Sequence, residues 1–211
     1  MLLQKWLHPS VANIAITTQP TKTTYIEGQT FDPTGMVVTA TFEDSTSAVV
    51  TNYTYSPSGA LATTDNKVVV SYGGKTAEVS ITVNAINLQV VGATDDDGSL
   101  FGKDASDLQE NIVVGTNAIT GTLNYIADYS SAFGGDEASG NYLALKCTAI
   151  SGAVITVEVV NGLHGASTLD ADGLVVCRIS NNETQSIRVV ATIGGVSQTK
   201  QYALTDLVLS E

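Results

Sequence analysis

The sequence predicts an all-β protein, two tandem antiparallel β-sandwich domains behind a short N-terminal arm. Apolar residues alternate with polar ones at a period of two in run after run, and no segment sustains a helical stripe. Glycine, proline and asparagine turns divide these runs at short spacing, the pattern of an antiparallel sandwich. The 211 residues also give room for two sandwiches of about 100 residues each. The expected boundaries are an arm at residues 1–12, a first sandwich at 13–85 and a second at 86–211.

In the first domain, strands are expected at 14–17 and 23–26. A polar turn carrying Gly28 then feeds a second turn with Pro33 and Gly35. Beyond it Met36, Val38, Ala40 and Phe42 share one face, while Val37, Thr39, Thr41 and Glu43 take the other. A strand is expected over 49–55. Val68, Val70 and Tyr72 repeat the alternation, and so do Ala77, Val79, Ile81 and Val83 against Glu78, Ser80 and Thr82. Gly73-Gly74 between those runs suits a type I′ hairpin, which needs positive φ at both central residues.

Three of these pieces carry a resemblance. Thr24-Tyr25-Ile26-Glu27-Gly28-Gln29-Thr30-Phe31-Asp32-Pro33-Thr34-Gly35-Met36-Val37-Val38, the Tyr72-Gly73-Gly74-Lys75-Thr76-Ala77 hairpin and the closing Ile81-Thr82-Val83 resemble the bacterial Ig-like domain family in its group 3 form. The resemblance implies an immunoglobulin-like first sandwich with a display role. It carries over no catalytic residue.

Asn84 to Asn87 continue without a flexible linker, and 86–91 reads as a strand. The stretch 92–110 is polar and acid-rich and reads as a long surface loop or arm. Strands follow at 118–126, 142–149, 154–160, 174–180, 187–192 and 197–204, and Ile193-Gly194-Gly195-Val196 echoes the first domain's hairpin. Gly121-Thr122-Leu123-Asn124-Tyr125, Gly140-Asn141-Tyr142-Leu143-Ala144-Leu145-Lys146, Leu169-Asp170-Ala171-Asp172-Gly173-Leu174-Val175 and the tail from Lys200 to Leu209 resemble bacteriophage head fibre and capsid decoration proteins. That resemblance implies a virion component on a capsid shell, with the Ig-like module ahead of a fibre-type domain.

Composition excludes some functions. Lysine and arginine total 9 against 21 acidic residues, a net charge of −12. Such a charge repels phosphate backbones and anionic lipid, so neither nucleic acid nor membrane is an expected partner. No apolar run approaches the roughly 20 residues that span a bilayer. The N-terminus reads as uncleaved and unexported, which fits a particle assembled in the cytoplasm. Strand parity sets Cys147 with Leu143 and Leu145, opposite Lys146, and Cys177 with Val175 and Ile179, opposite Arg178. Both thiols are expected inside. A bridge across the second core is one reading, and two reduced, buried thiols is the preferred one.

Candidate chemistry is sparse. Asp95-Asp96-Asp97-Gly98 with Asp104 and Asp107 offers carboxylates to a calcium ion, but Gly98 comes too early for an EF-hand and Ser106 occupies the place of the bidentate glutamate. A solvated loop is preferred, and no metal site or cofactor is assigned. Asp170-Ala171-Asp172-Gly173 reads as a turn before it reads as a ligand set. His8 and His164 are the only histidines, and neither lies in a nucleophile motif, so no catalytic residue is assigned. Gly134-Gly135 precedes no phosphate-cradling lysine. Trp6, with Leu2, Leu3 and Leu7, could dock the arm on a neighbouring subunit or pack back on its own domain. Tyr53, Tyr55 and Tyr72 would make a sugar platform if exposed, but parity favours core packing.

The expected function is a non-enzymatic bacteriophage virion structural protein, a capsid decoration or head fibre subunit at the capsid surface. Its partners would be the major capsid protein or neighbouring virion subunits, further copies of itself on the particle, and a host-surface glycan. A secreted bacterial adhesin or spacer is the alternative, as is a phage tail protein with an Ig-like addition.

Overall fold

The structure, a computed structural model, describes residues 9–91, 105–126, 140–161, 167–168, 173–180 and 185–210. The chain forms two compact units, Met1–Ala85 and Ile86–Glu211. Both are β-sandwiches built almost wholly of strands, as the periodicity predicts.

The first unit contains β1 (Val11–Thr18), β2 (Thr24–Ile26), β3 (Val37–Phe42), β4 (Ser47–Val50), β5 (Thr54–Ser56), β6 (Lys67–Tyr72), β7 (Lys75–Ser80) and β8 (Thr82–Asn84). They form sheets β1-β3-β4 and β5-β6-β7, and a two-stranded pair β2-β8. Side chains on alternate positions meet between the two larger sheets. Ile14, Val38 and Ala40 come from one, Val68, Val70 and Val79 from the other, and Tyr25 and Phe31 fill the space between. Burying each large aliphatic side chain contributes about 1.5–3 kcal/mol, so this shared core holds the sheets together. The single strand expected over 49–55 is two strands. β4 belongs to the first sheet and β5 to the second, so residues 51–53 cross between them and join neither ladder. The β2–β8 pair is parallel, a departure from the antiparallel rule.

Two turns in the signature stretch use the freedom of glycine. Gln29 N–H reaches Ile26 C=O at 3.0 Å with Gly28 at φ 91°, and Met36 N–H reaches Pro33 C=O at 2.9 Å with Gly35 at φ 82°. Positive φ at the third residue is what a type II turn requires. The Gly73-Gly74 and Gly194-Gly195 hairpins have positive φ throughout (55° and 76°, then 58° and 76°), matching the I′ geometry that fits twisted strands.

The second unit contains β9 (Leu88–Val90), α1 (Ala105–Leu108), β10 (Gln109–Val114), β11 (Ala118–Leu123), β12 (Tyr125–Ile126), β13 (Gly140–Cys147), β14 (Val154–Val160), β15 (Ser167–Thr168), β16 (Leu174–Ile179), β17 (Ser186–Ile193) and β18 (Val196–Leu209). One sheet runs β10-β11-β18-β17-β14-β15, and the other β12-β13-β16 with β9 also on β13. β18 is long enough to serve two neighbours. Its first part pairs antiparallel with β17, and its end pairs parallel with β11 from Ala203 to Leu209.

Two sequence expectations change here. The stretch 92–110 does not stay a loop to its end, because residues 105–108 are helical and Gln109 opens β10, with Leu108 and Gln109 both buried. Strand parity also fails for β13, which is buried from Gly140 to Leu145 on both faces. Parity assumes one wet face, whereas α1, β10 and β11 all lie against this strand. Gln109 shows how closely: its Nε2 donates to Ala144 C=O at 2.9 Å and its Oε1 accepts Ala144 N–H at 2.7 Å. Ala144 sits between the reach of β12 at Gly140 and Asn141 and that of β9 at Leu145 to Cys147. One glutamine amide therefore stands in for the missing stretch of strand.

Cys147 and Cys177 are both free thiols. Cys177 pairs across β13–β16 with Leu143, so Cys147 lies four residues further along the neighbouring strand. That offset is about 13 Å at strand rise, well beyond the reach of a disulfide. Burial pushes the Cys177 thiol up to about 12 and raises Cys147 as well. Cys177 leaves part of its residue surface accessible, but the atoms around its sulfur keep water away from the thiolate.

Candidate functional site

The signature stretch of the first unit gathers several polar groups, and its geometry is that of a clasp. Tyr25 is fully buried, its hydroxyl donating to Lys22 C=O at 2.9 Å and accepting Asp32 N–H at 3.2 Å. The Lys22 ammonium lies 4.7 Å from the Tyr25 ring centre and donates to Gln29 Oε1 at 2.9 Å, while that same oxygen accepts Ile26 N–H. Desolvation lowers Lys22 and raises Tyr25, and hydrogen bonds from Thr34 hold the Asp32 carboxyl below its usual range. Every polar group named here is occupied by its neighbours. The network pins two turns together, with nothing poised to attack a substrate.

An open cleft of about 360 Å³ lies where β5 and β6 approach the Gly73-Gly74 hairpin, lined by Asn52, Thr54, Ser71, Tyr72, Gly73 and Gly74. Thr54 and Ser71 face each other across the β5–β6 ladder. No charged side chain lines it. It offers hydroxyls, an amide, exposed backbone and one ring, a set that hydrogen-bonds a neutral polar ligand but activates no nucleophile. The expected tyrosine arrangement holds: Tyr53, Tyr55 and Tyr72 are half-buried against the core, with Tyr55 edge-on to Phe31 at 5.2 Å, and only Tyr72 reaches the cleft.

The outer face of β1-β3-β4 is a second surface with a distinct character. Thr17 and Thr39 hydroxyls meet at 2.9 Å, Thr41 and Ser47 at 3.2 Å, and Val49 stands 62% exposed beside them. The charged residues nearest to it, Glu43 and Asp44, stand in the β3–β4 turn at the end of this face. Sequence reading passed over this face, because knowing that β4 closes the sheet requires the topology.

Other candidates lie outside the described residues: Trp6 and its leucines, His8, Asp95 to Asp97, Asp104, Gly134-Gly135, His164 and Asp170 to Asp172. Asp107 is exposed in α1. Among the described residues no three His, Cys, Asp or Glu side chains could hold a metal ion together. Nor does any described helix have the length and apolarity to cross a membrane.

Two open surfaces stand on the first of two all-β sandwiches, and all-β sandwich is the class that the strands define. Residues 18–83, within the first unit, match the bacterial Ig-like domain family (group 3). No curated protein matches the chain. Solved structures with similar strand arrangements include the N-terminal four Ig domains of Dscam1 isoform 9.44, at 9% identity and TM-score 0.27 over 95% of this chain and 47% of that one. Tandem Ig repeats of Dlar align at 10% identity and TM-score 0.26 over 94% and 98%. Domains 3-5 of the extracellular part of Drosophila OTK align at 9% and 0.29 over 93% and 62%. At such scores the fold rests on the strands themselves.

Proposed function

We propose that the chain is a non-enzymatic bacteriophage virion structural protein, a capsid decoration or head fibre subunit. The second unit would bind the shell through the major capsid protein or neighbouring subunits, and the Ig-like unit would face outward. The observation that carries this reading is the Ig-like match at 18–83 on a unit whose polar interior groups are spent on cohesion. The head-fibre-like pieces of the second unit supply the particle. The cleft at Asn52 and Tyr72 would make feeble contacts with a host-surface glycan, and repetition on the lattice would turn them into retention.

Co-sedimentation of the purified chain with empty capsids of its source particle is the test. Saturable binding with a fixed stoichiometry is expected, and a chain left wholly in the supernatant would sink the proposal.

A further inference from the structure

A strand at a sheet edge presents unpaired N–H and C=O groups, which proteins guard with charge, proline, bulges or brevity. Among the described residues, five edge strands run four residues or more: β1, β4, β7, β10 and β16. Four are guarded. β1 breaks register twice, β10 shifts register and carries Glu110, β7 carries Lys75 and Glu78, and β16 carries Arg178. β4, the shortest of the five at four residues, has no other of these devices. Ser47-Ala48-Val49-Val50 holds no charge and no proline, its register on β3 is unbroken from Thr41↔Ser47 to Val38↔Val50, and Val49 is 62% exposed.

We propose that β4 is a self-pairing edge, and that its partner is β4 of a second copy of this chain. Two copies related by a twofold axis would place Ser47 opposite Val49 and Ala48 opposite its own counterpart, which keeps Ser47 and Val49 on one face and extends β1-β3-β4 into one continuous sheet. Charge selects this place. At a net charge of −12 two copies repel wherever acids face each other, so they approach best where none stand. Beside β4 the outer face offers Ala15, Thr17, Thr39 and Thr41. In the same register Asp44 falls opposite Asn52 of the other copy and meets no second acid. The pairing is small, well below the roughly 1,200 Å² of a stable interface, so it is weak in dilute solution. Where many copies are held side by side, at an effective concentration of order millimolar, it fills. The pairing rests on β4 alone and stands whether or not the chain sits on a capsid.

Sedimentation equilibrium and amide chemical-shift mapping of the full chain, from about 10 μM to about 1 mM, test it. The expected result is a monomer–dimer equilibrium that strengthens as salt screens the net charge, with shifts confined to Ser47–Val50 and the adjoining β3 residues. Val49→Lys should weaken association about tenfold or more although it makes the chain less negative, because it charges the edge. Val154→Lys, equally exposed on an interior strand of the second unit, should leave it unchanged. A chain that stays monomeric at the highest concentration and salt overturns the proposal, and so does a dimer indifferent to Val49→Lys. Protection of β4 amides only when capsid shells are added would assign the edge to a shell strand and overturn self-pairing too.

Discussion

Tyr25 and Tyr202 are both fully buried, yet their hydroxyls differ. Tyr25 Oη makes two hydrogen bonds, whereas Tyr202 Oη has no partner among the described residues. Removing the Tyr25 hydroxyl leaves two part-buried backbone partners, Lys22 C=O and Asp32 N–H, each a bond short, while removing an orphan relieves a desolvation cost. Tyr25→Phe should therefore cost about 1–3 kcal/mol in chemical denaturation, and Tyr202→Phe should be neutral or stabilising by about 1 kcal/mol. The thiols give a pH test at the same scale. With Cys177 at about 12 and Cys147 also raised, the reactive thiolate is scarce at neutral pH. A disulfide-exchange reagent at pH 8 should find both thiols nearly inert in the native chain, gain rate as pH rises, and titrate two thiols once the chain is denatured. Zero thiols on denaturation would mean a bridge, against the register.

Hairpin turns and edge clamps decide stability at the scale of elements. Gly73 and Gly74 share positive φ, but a side chain at Gly73 would collide with Val11 Cγ2, whereas one at Gly74 meets nothing within 4 Å. Gly74→Ala should cost about 1–2 kcal/mol from backbone strain alone, and Gly73→Ala distinctly more, as read from shifts in unfolding midpoint. Gln109→Met keeps the side-chain bulk but leaves the Ala144 N–H and C=O unpaired, so about 2–4 kcal/mol should be lost. Legibility also divides at this scale. β3, β6 and β7 were readable because each has one wet face, so Val38, Val68 and Val79 stand out by alternation. β10 was not, since Gln109-Glu110-Asn111 reads as loop, and only Ala144 in another strand explains why Gln109 is buried. The parallel pairs were equally hidden, because alternation does not encode strand direction.

For the whole molecule, the proposed recognition would fall to exterior surfaces, because the inward side chains of the sandwiches make the core. Composition, with a charge of −12, sets the expectation that anionic partners are disfavoured. It could not show where the charge is missing, because the cleft draws residues from Asn52 to Gly74 and the bare edge exists only once β4 ends its sheet. Both surfaces are small and open, so a single copy should hold any ligand feebly, and under the proposed adhesive role retention should come from many copies acting together.

Retention on host cells is the direct measure of that claim, comparing the free chain with the same amount of chain arrayed on a particle or bead. Arrayed chain should be retained about 100-fold or more over the free chain, and Asn52→Ala with Thr54→Lys in the cleft should erase the difference. Equal retention of free and arrayed chain would contradict adhesion by multiplicity.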